Sequence, residues 1–474
     1  MKFISFLFLL TIAFVFSCNR KTETHSESKT SKLNLSKPNI IFVLADDLGY
    51  GDLGCYGQKM LKSPNLDKMA SEGIQFTNCY AGNTVCCPSR SALLTGLHSG
   101  HAVHRGNYGD YKGEQAYVPF EKGTKTFATY IKQAGYKTGH VGKWHNGGTT
   151  ADKTSPSFLG FDYSFSHYPN YLWTTEIKKQ VIKNRKEYYF DYYWRNEEKI
   201  IVEENRNMAG KIYCEETYTN EALDFIKRNK DTTFMLYLAY TSPHAPQVPY
   251  TEEPFENEDW PELERKFAAE VFYLDKNMGK LFQLLKDLEI DENTIVFFTS
   301  DNGPHNEQGH DHTFFNSNGN LRGYKRNMSD GGIKVPLLVR WPGKIKASSE
   351  TDHICSFYDM LPTFCELGNA QSPGGIDGIS IAPTLLGNTE NQKKHKYLYW
   401  ENTSLGKQAV RMGRWKGIRL NVNKEGFEAP IALYDLSTDI GEEKDVASQF
   451  PEVVEQIKKF MTESHVENPY FKFK

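Results

Sequence analysis

The sequence has no surplus of basic charge. Its 56 Lys and Arg stand against 59 Asp and Glu, a formal net charge of −3 over 474 residues, and the basic residues are scattered along the chain. Binding to a nucleic-acid backbone needs clustered positive surface, so that class of partner is excluded. Long hydrophobic runs are also missing. The apolar stretch 3–16, preceded by the single charge of Lys2, is shorter than a comfortable membrane span and has the form of a signal-peptide core. There is no internal repeat, and low complexity is confined to residues 18–37, where Lys, Ser, Thr and Glu leave almost nothing to bury. The eight cysteines show neither the spacing of a zinc site nor that of a disulfide framework.

What is present begins with an export signal. Residues 1–17 read as a lipoprotein-like signal peptide, because Val15, Phe16, Ser17 and Cys18 resemble the box after which a bacterial lipoprotein is cleaved. Cys18 is then the candidate for a lipid anchor, and residues 18–37 form a flexible tether. The expected location is the periplasm or the cell surface, anchored to a bacterial outer membrane; ordinary signal cleavage nearby is the competing reading. Aromatic residues make up 14% of the chain, which fits sugar stacking as well as plain packing.

Four short apolar runs, 40–45, 136–141, 234–239 and 295–300, each lead into polar residues: Asp46 and Asp47, Lys143 and His145, His244, and Asp301 with Asn302. Each run reads as a buried strand. Between them Leu66, Met69 and Ala70 share one helical face, and Phe267, Val271, Leu274, Met278, Leu281 and Leu285 share another. This alternation predicts an α/β fold built on a large, mostly parallel sheet sandwiched by helices. Ligands bind beyond the carboxyl ends of such strands, so the four polar clusters are expected to converge on one site. Beyond residue 386 the texture changes to short alternating runs at 397–401, 409–420 and 432–436, followed by an amphipathic helix from 451 to about 464. The expected division is a catalytic α/β domain over 38–386 and a C-terminal α+β subdomain over 387–474, a smaller antiparallel sheet with one helix.

Asp46, Asp47, Asp301 and Asn302 offer only oxygen donors, with no His or thiolate among them. Such a set suits a hard cation, calcium first and magnesium second. An isolated Asp pair after a strand is usually a turn or a cap, but here two pairs follow two core strands.

Cys86, Cys87, Pro88, Ser89, Arg90, Ser91, Ala92, Leu93, Leu94, Thr95 and Gly96 match, without a gap, the signature C-x-P-S-R-x-x-L-L-T-G. On these residues the chain resembles the type I, formylglycine-dependent sulfatases, the arylsulfatase branch of the alkaline-phosphatase superfamily. The resemblance runs from Pro38 through Gly142, Lys143, Trp144 and His145, then Ser242, Pro243 and His244, and Lys325, to Tyr434, Asp435 and Leu436. It implies that a maturation enzyme oxidises Cys86 to formylglycine, which joins Asp46, Asp47, Asp301 and Asn302 around the metal. It further implies that Arg90 holds the hydrated aldehyde, that Lys143 and Lys325 clamp the sulfate, that His244 protonates the leaving alcohol and that His145 takes the second diol proton. The implied activity is hydrolysis of sulfate esters, on a sulfated polysaccharide such as an algal cell-wall glycan or a glycosaminoglycan.

Three positions depart from the usual pattern: Cys87 beside Cys86, Asn146 after His145 and Asp330 before Gly331. Other readings remain on the table. A phosphoester hydrolase of the same superfamily would place Ser or Thr at position 86 and add ligands for a second metal. A cysteine hydrolase would use Cys86 as a thiolate at a helix start. A non-catalytic glycan-binding lipoprotein would rest on aromatics between Tyr163 and Tyr193. His305 and His312 are further candidates for lining a substrate groove.

Overall fold

In the computed structural model, the described residues are 37–147, 153–167, 188–208 and 210–474. The leader, nearly all of the tether, and Cys18 lie outside them. Residues 37–474 form one compact unit.

Its centre is a ten-stranded sheet. Five parallel neighbours form the middle, in the order Thr294–Ser300, Asn39–Ala45, Phe234–Ala239, Lys137–Lys143 and Tyr163–His167. Antiparallel strands complete both flanks, among them Leu337–Arg340 on one side and Tyr192–Arg195 on the other. Every residue of the first three named strands is buried. That explains why they read as nearly continuous apolar runs: helices cover both faces, and the polar residues Asn39, Thr294, Thr299 and Ser300 fall at or next to the strand ends. The helix Glu262–Asp287 turns Phe267, Val271, Leu274, Met278, Leu281 and Leu285 inward, as the 3.6-residue period predicts.

The large, mostly parallel sheet and the smaller C-terminal antiparallel sheet with its helix are both present. The latter has four strands, Leu398–Asn402, Lys407–Met412, Trp415–Arg419 and Ile431–Asp435 in sequential order, covered by the helix Pro451–Ser464. The run 409–420 is two strands rather than one. Gly413, with φ of 57°, turns the chain between Met412 and Trp415, a left-handed position that glycine takes without strain.

A buried ion network joins the two sheets. Asp330 accepts from Lys416 Nζ at 2.6 Å and from the Tyr80 hydroxyl at 2.7 Å, while its own N–H donates to Glu442 at 2.7 Å. Lys416 is fully buried. The shorter Asp330 is therefore suited to its place, with Glu442 supplying a second carboxylate 3.5 Å from Lys416. Removing one member leaves the others charged and unsolvated. Lys416→Ala is expected to lower the unfolding free energy by about 3–5 kcal/mol, read as a fall in urea midpoint. Lys458→Ala, which breaks the surface pair with Glu428, should leave that midpoint where it was.

Candidate active site

The carboxyl ends of four adjacent parallel strands supply the site. Strand Asn39–Ala45 delivers Asp46 and Asp47, Lys137–Lys143 ends on Lys143, Phe234–Ala239 leads to the loop bearing His244, and Thr294–Ser300 delivers Asp301 and Asn302. Backbone bonds beyond the strand ends lock these together: the Asp46 N–H donates to the Ser242 carbonyl at 3.0 Å and the Asp301 N–H to the Ala45 carbonyl at 3.1 Å. Asp47 sits at φ of 66° and His145 at 58°, two non-glycine residues in the left-handed region within one site. Such strain persists where the surroundings over-determine it.

Facing these strand ends is the helix Cys86–Thr95, which starts on Cys86 and stops at Gly96, whose φ of 71° lets its N–H close on the Ala92 carbonyl. Pro88 falls in the first turn, where a missing donor does no harm. Arg90 lies one turn after Cys86 on the same face. It is fully buried, with Nε 2.9 Å from Asp301 and a second nitrogen 2.8 Å from Asp301 and 3.3 Å from Asp46. It also donates to the Lys143 carbonyl at 3.1 Å.

The remaining charges complete an alternating nest. Lys143 pairs with Asp46, and Lys325 lies 2.7 Å from Asp47. The Cys86 thiol donates to Asp46 at 3.5 Å. Ligand atoms of Asp46, Asp47, Cys86 and Asp301 all lie within 4.8 Å of one another. Asn302 donates to Asp47 at 2.6 Å, and its own Oδ1 is buried without a partner, a lone acceptor of the kind a cation takes. The structure thus brings together every residue that the sequence pointed to as metal ligand, with Arg90, Lys143, Lys325 and His244 around them; Asp46 and His244 also come within 4.8 Å of the thiol. His145 is buried nearby, edge-on to Tyr117, with Nδ1 unpartnered.

The electrostatics follow from crowding. Burial opposes ionisation of Asp46, but Lys143, His244, Arg90 and Lys325 outweigh it and hold the carboxyl well below the usual range. Asp301 goes the other way: burial, then the Asp46 charge, push it up to about 7 in spite of Arg90. Three acids packed so tightly oppose one another's ionisation, and a divalent cation between them would relieve that repulsion. Burial pushes the Cys86 thiol well above its ordinary value, and Asp46 and Asp301 add to it. Lys143 opposes these effects without overcoming them, and a raised thiol pKa disfavours the thiolate that a cysteine hydrolase would use. Burial, then Lys325 and Lys143, hold His244 below its ordinary value.

Cys87 stands apart from this nest. Its N–H donates to Asn107 at 3.2 Å, and its carbonyl accepts from the Asn146 amide at 2.8 Å. Asn146 is thereby accounted for: it fixes the Cys87–Pro88 peptide, while Asn107 holds the peptide between Cys86 and Cys87. All seven described cysteines, Cys86 and Cys87 included, are free thiols.

Other candidates are placed differently from what the sequence suggested. Tyr188 and Tyr193 are fully buried in the core, so they are no sugar platform; residues 168–187 of that stretch lie outside the described residues. His305 is buried and bonds the Pro243 carbonyl at 3.0 Å, serving the scaffold rather than a groove. His312 stacks near Tyr324.

Sequence reading missed the supports beneath His244. One oxygen of Glu215 accepts the N–H groups of Thr241 and Ser242 at 2.9 and 2.7 Å and the Ser242 hydroxyl at 3.0 Å. Glu270 accepts the Val248 N–H at 2.7 Å, and the Tyr188 hydroxyl donates to the His244 carbonyl. Nothing in the sequence distinguishes these two helix glutamates from solvated ones.

An α/β sheet whose strand ends gather carboxylates, lysines and a helix-borne cysteine around one buried point is the arrangement of a hydrolase that acts on an anionic ester. Residues 38–370 match the sulfatase family, and residues 320–467 match the C-terminal region described as that of N-sulphoglucosamine sulphohydrolase. The chain belongs to the sulfatase family and is a sulfuric ester hydrolase. It is 29% identical to the N-acetylgalactosamine-6-O-sulfatase of Bacteroides thetaiotaomicron, across 95% of this chain and 96% of that protein. With the human N-acetylgalactosamine-6-sulfatase it shares 35% identity over 74% of this chain and 66% of the other. Among solved structures, Ps i-CgsB in complex with k-i-k-neocarrahexaose superposes with a TM-score of 0.76 at 27% identity, covering 93% of this chain and 95% of that one.

The buried Glu215 yields a pH test. Burial raises its carboxyl from 4.5 to about 7, so the folded state holds a proton that the unfolded chain releases, and stability is lost as pH rises through that window. Glu215→Gln keeps an oxygen to accept the three hydrogen bonds but cannot ionise. The variant should therefore gain stability relative to the parent between pH 5 and pH 8, seen as a widening gap in denaturation midpoint.

Proposed function

We propose that the protein is a calcium-dependent, formylglycine-type sulfatase acting on a sulfated polysaccharide or its oligosaccharides. The observation that carries this reading is Cys86 itself: an unbroken signature segment places it at a helix start, 3.5 Å from Asp46 and within reach of Asp47 and Asp301. The names of the similar proteins point to sulfated amino sugars and to a carrageenan oligosaccharide as the substrate class. Export, and a lipid anchor at Cys18, place the reaction in the periplasm or at the cell surface.

The residues present fit calcium. Asp46, Asp47, Asp301 and Asn302 would hold it, all through oxygen, and oxidation of Cys86 would turn the one soft donor of the set into another oxygen. The three acids are balanced by Arg90, Lys143 and Lys325, so a bound dication leaves the site positive, as an anionic ester requires. Calcium would lower the pKa of the attacking hydroxyl, and the hydrated aldehyde would carry two hydroxyls, one to attack sulfur and one to expel sulfate afterwards.

This chain's own side chains do the rest. Lys143 and Lys325 hold the sulfate oxygens where charge redistributes as the ester bond breaks. Arg90 keeps Asp301 and Asp46 in place beside Cys86. The Nδ1 of His244 is bonded to the Ala245 carbonyl at 2.6 Å, which leaves Nε2 to face the leaving oxygen. Burial and the two lysines hold its pKa down, making the imidazolium a stronger acid towards a sugar alkoxide. His145 takes the second proton when sulfate departs.

Two measurements test this reading. Prolonged dialysis against chelator should abolish sulfate release, with calcium restoring it better than zinc; full activity in excess chelator would remove the metal from the mechanism. On a panel of sulfated saccharides, with free sulfate and free phosphate both followed, Cys86→Ala should be inactive while Cys87→Ser keeps most of the activity. Peptide mass spectrometry of active protein should then place the aldehyde at residue 86. An aldehyde at 87, or an active Cys86→Ala, would overturn the nucleophile assignment.

A further inference from the structure

The nest described above is closed on nearly every side. Asp46, Asp47, Asp301 and Arg90 have no exposed side-chain surface, and Lys325 has 2%. Among the described residues it reaches solvent at Lys143, 15% exposed, and more widely at His244, Glu307 and Arg326, with side-chain exposures of 24, 20 and 47%. A carboxylate oxygen of Glu307 lies within 4.8 Å of ligand atoms of Asp47 and His244. A ring that carries the sulfate, with His244 at its leaving oxygen, would rest beside these three side chains.

Glu307 is an odd residue to find there. A second negative charge at the mouth of an anion site works against the substrate, and Lys325 already has Asp47 as a partner at 2.7 Å. Both of its oxygens are ion-paired, one with Lys325 at 3.1 Å and the other with Arg326. Each oxygen nevertheless keeps a free lone-pair site, and a fifth of the side chain faces solvent. What remains for it is to accept hydrogen bonds from the uncharged part of the substrate.

Both partners are held as a built site rather than a chance surface pair. The Glu307 N–H donates to His305 Nδ1 at 3.1 Å, and His305 Nε2 bonds the Pro243 carbonyl at 3.0 Å, which ties Glu307 to the loop that bears His244. The chain then turns sharply through Gln308 and Gly309, at φ of 55° and 97°. Arg326 sits at φ of 74°, and its N–H donates to the Thr84 carbonyl at 2.9 Å, two residues before Cys86. A non-glycine residue in that region is strained, and here the strain aims a guanidinium at Glu307 across the opening.

We propose that Glu307 and Arg326 are the specificity-determining pair of this sulfatase, Glu307 accepting a hydrogen bond from a hydroxyl on the sugar ring that bears the sulfate. Arg326 holds that carboxylate and offers its remaining N–H donors to the same ring. The pair selects a neutral polyhydroxylated ring and disfavours one with a carboxylate beside the scissile ester. This rests on the saccharide reading of the site given above.

The test compares kcat/KM for the sulfated monosaccharide hydrolysed fastest by the parent enzyme with kcat/KM for 4-nitrophenyl sulfate, which has no ring hydroxyl. Glu307→Leu, which can accept no hydrogen bond, should lower the saccharide-to-aryl ratio by about 10- to 100-fold, the range for a lost hydrogen bond to a charged group. Arg326→Met, at a half-exposed position where folding is not at stake, should lower the same ratio in the same direction. A deoxy analogue lacking the contacted hydroxyl should be penalised in the parent and not in Glu307→Leu. Equal losses on both substrates would mean that Glu307 only steadies Lys325, and an unchanged ratio in both variants would mean that the pair is idle; either overturns the proposal. Should the parent cleave 4-nitrophenyl sulfate and no saccharide at all, the saccharide reading falls first and this pair with it.

Discussion

Arg90, buried between Asp46 and Asp301, is the contact on which the rest of the site depends. Two carboxylates from different strands and a helix that starts on Cys86 meet at one guanidinium, and none of the three side chains touches solvent. Taking such charges out of water is unfavourable unless every one is paired and the geometry is good. Arginine meets that demand better than lysine, because its fork reaches two acids and a backbone carbonyl at once. Through it the helix Cys86–Thr95 is held in register with the strand ends, and Cys86 is held among the acids rather than beside them.

A second layer holds the first. Glu215 and Glu270 reach from two helices to the loop of His244, Asn146 fixes the Cys87–Pro88 peptide, and Asp330 with Lys416 binds the C-terminal sheet to the segment that precedes it. That sheet also reaches the nucleophile loop directly, since Asn83 donates to the Glu401 carbonyl at 2.7 Å. The C-terminal region is thus part of what keeps the active-site segments in place, even though none of the assigned catalytic groups comes from it.

Much of this was legible in the sequence because it is written in runs and in fixed spacings. Buried parallel strands appear as unbroken apolar stretches, and the observed Phe234–Ala239 matches its run residue for residue. The convergence of Asp46, Lys143, His244 and Asp301 followed from one rule about strand ends. What stayed hidden depends on tertiary contact alone. Glu215 on a helix looks like any solvated glutamate until the Ser242 loop closes on its one oxygen. Tyr188 and Tyr193 looked like sugar platforms because an aromatic's composition does not tell whether it faces a ligand or a core. The hairpin at Gly413 was lost inside one alternating run, since alternation persists through a tight turn.

The depth of Cys86 also sets a clock. The residue is 1% exposed in the folded protein, so any reagent or enzyme that acts on it must arrive before the strands close. Arg90 and its partner Asp301 are 211 residues apart in the chain. The helix that carries Cys86 can form on its own, but the pocket that buries it cannot close until a strand from far along the chain is in place, so sheet topology makes this cysteine one of the last to be shielded from solvent.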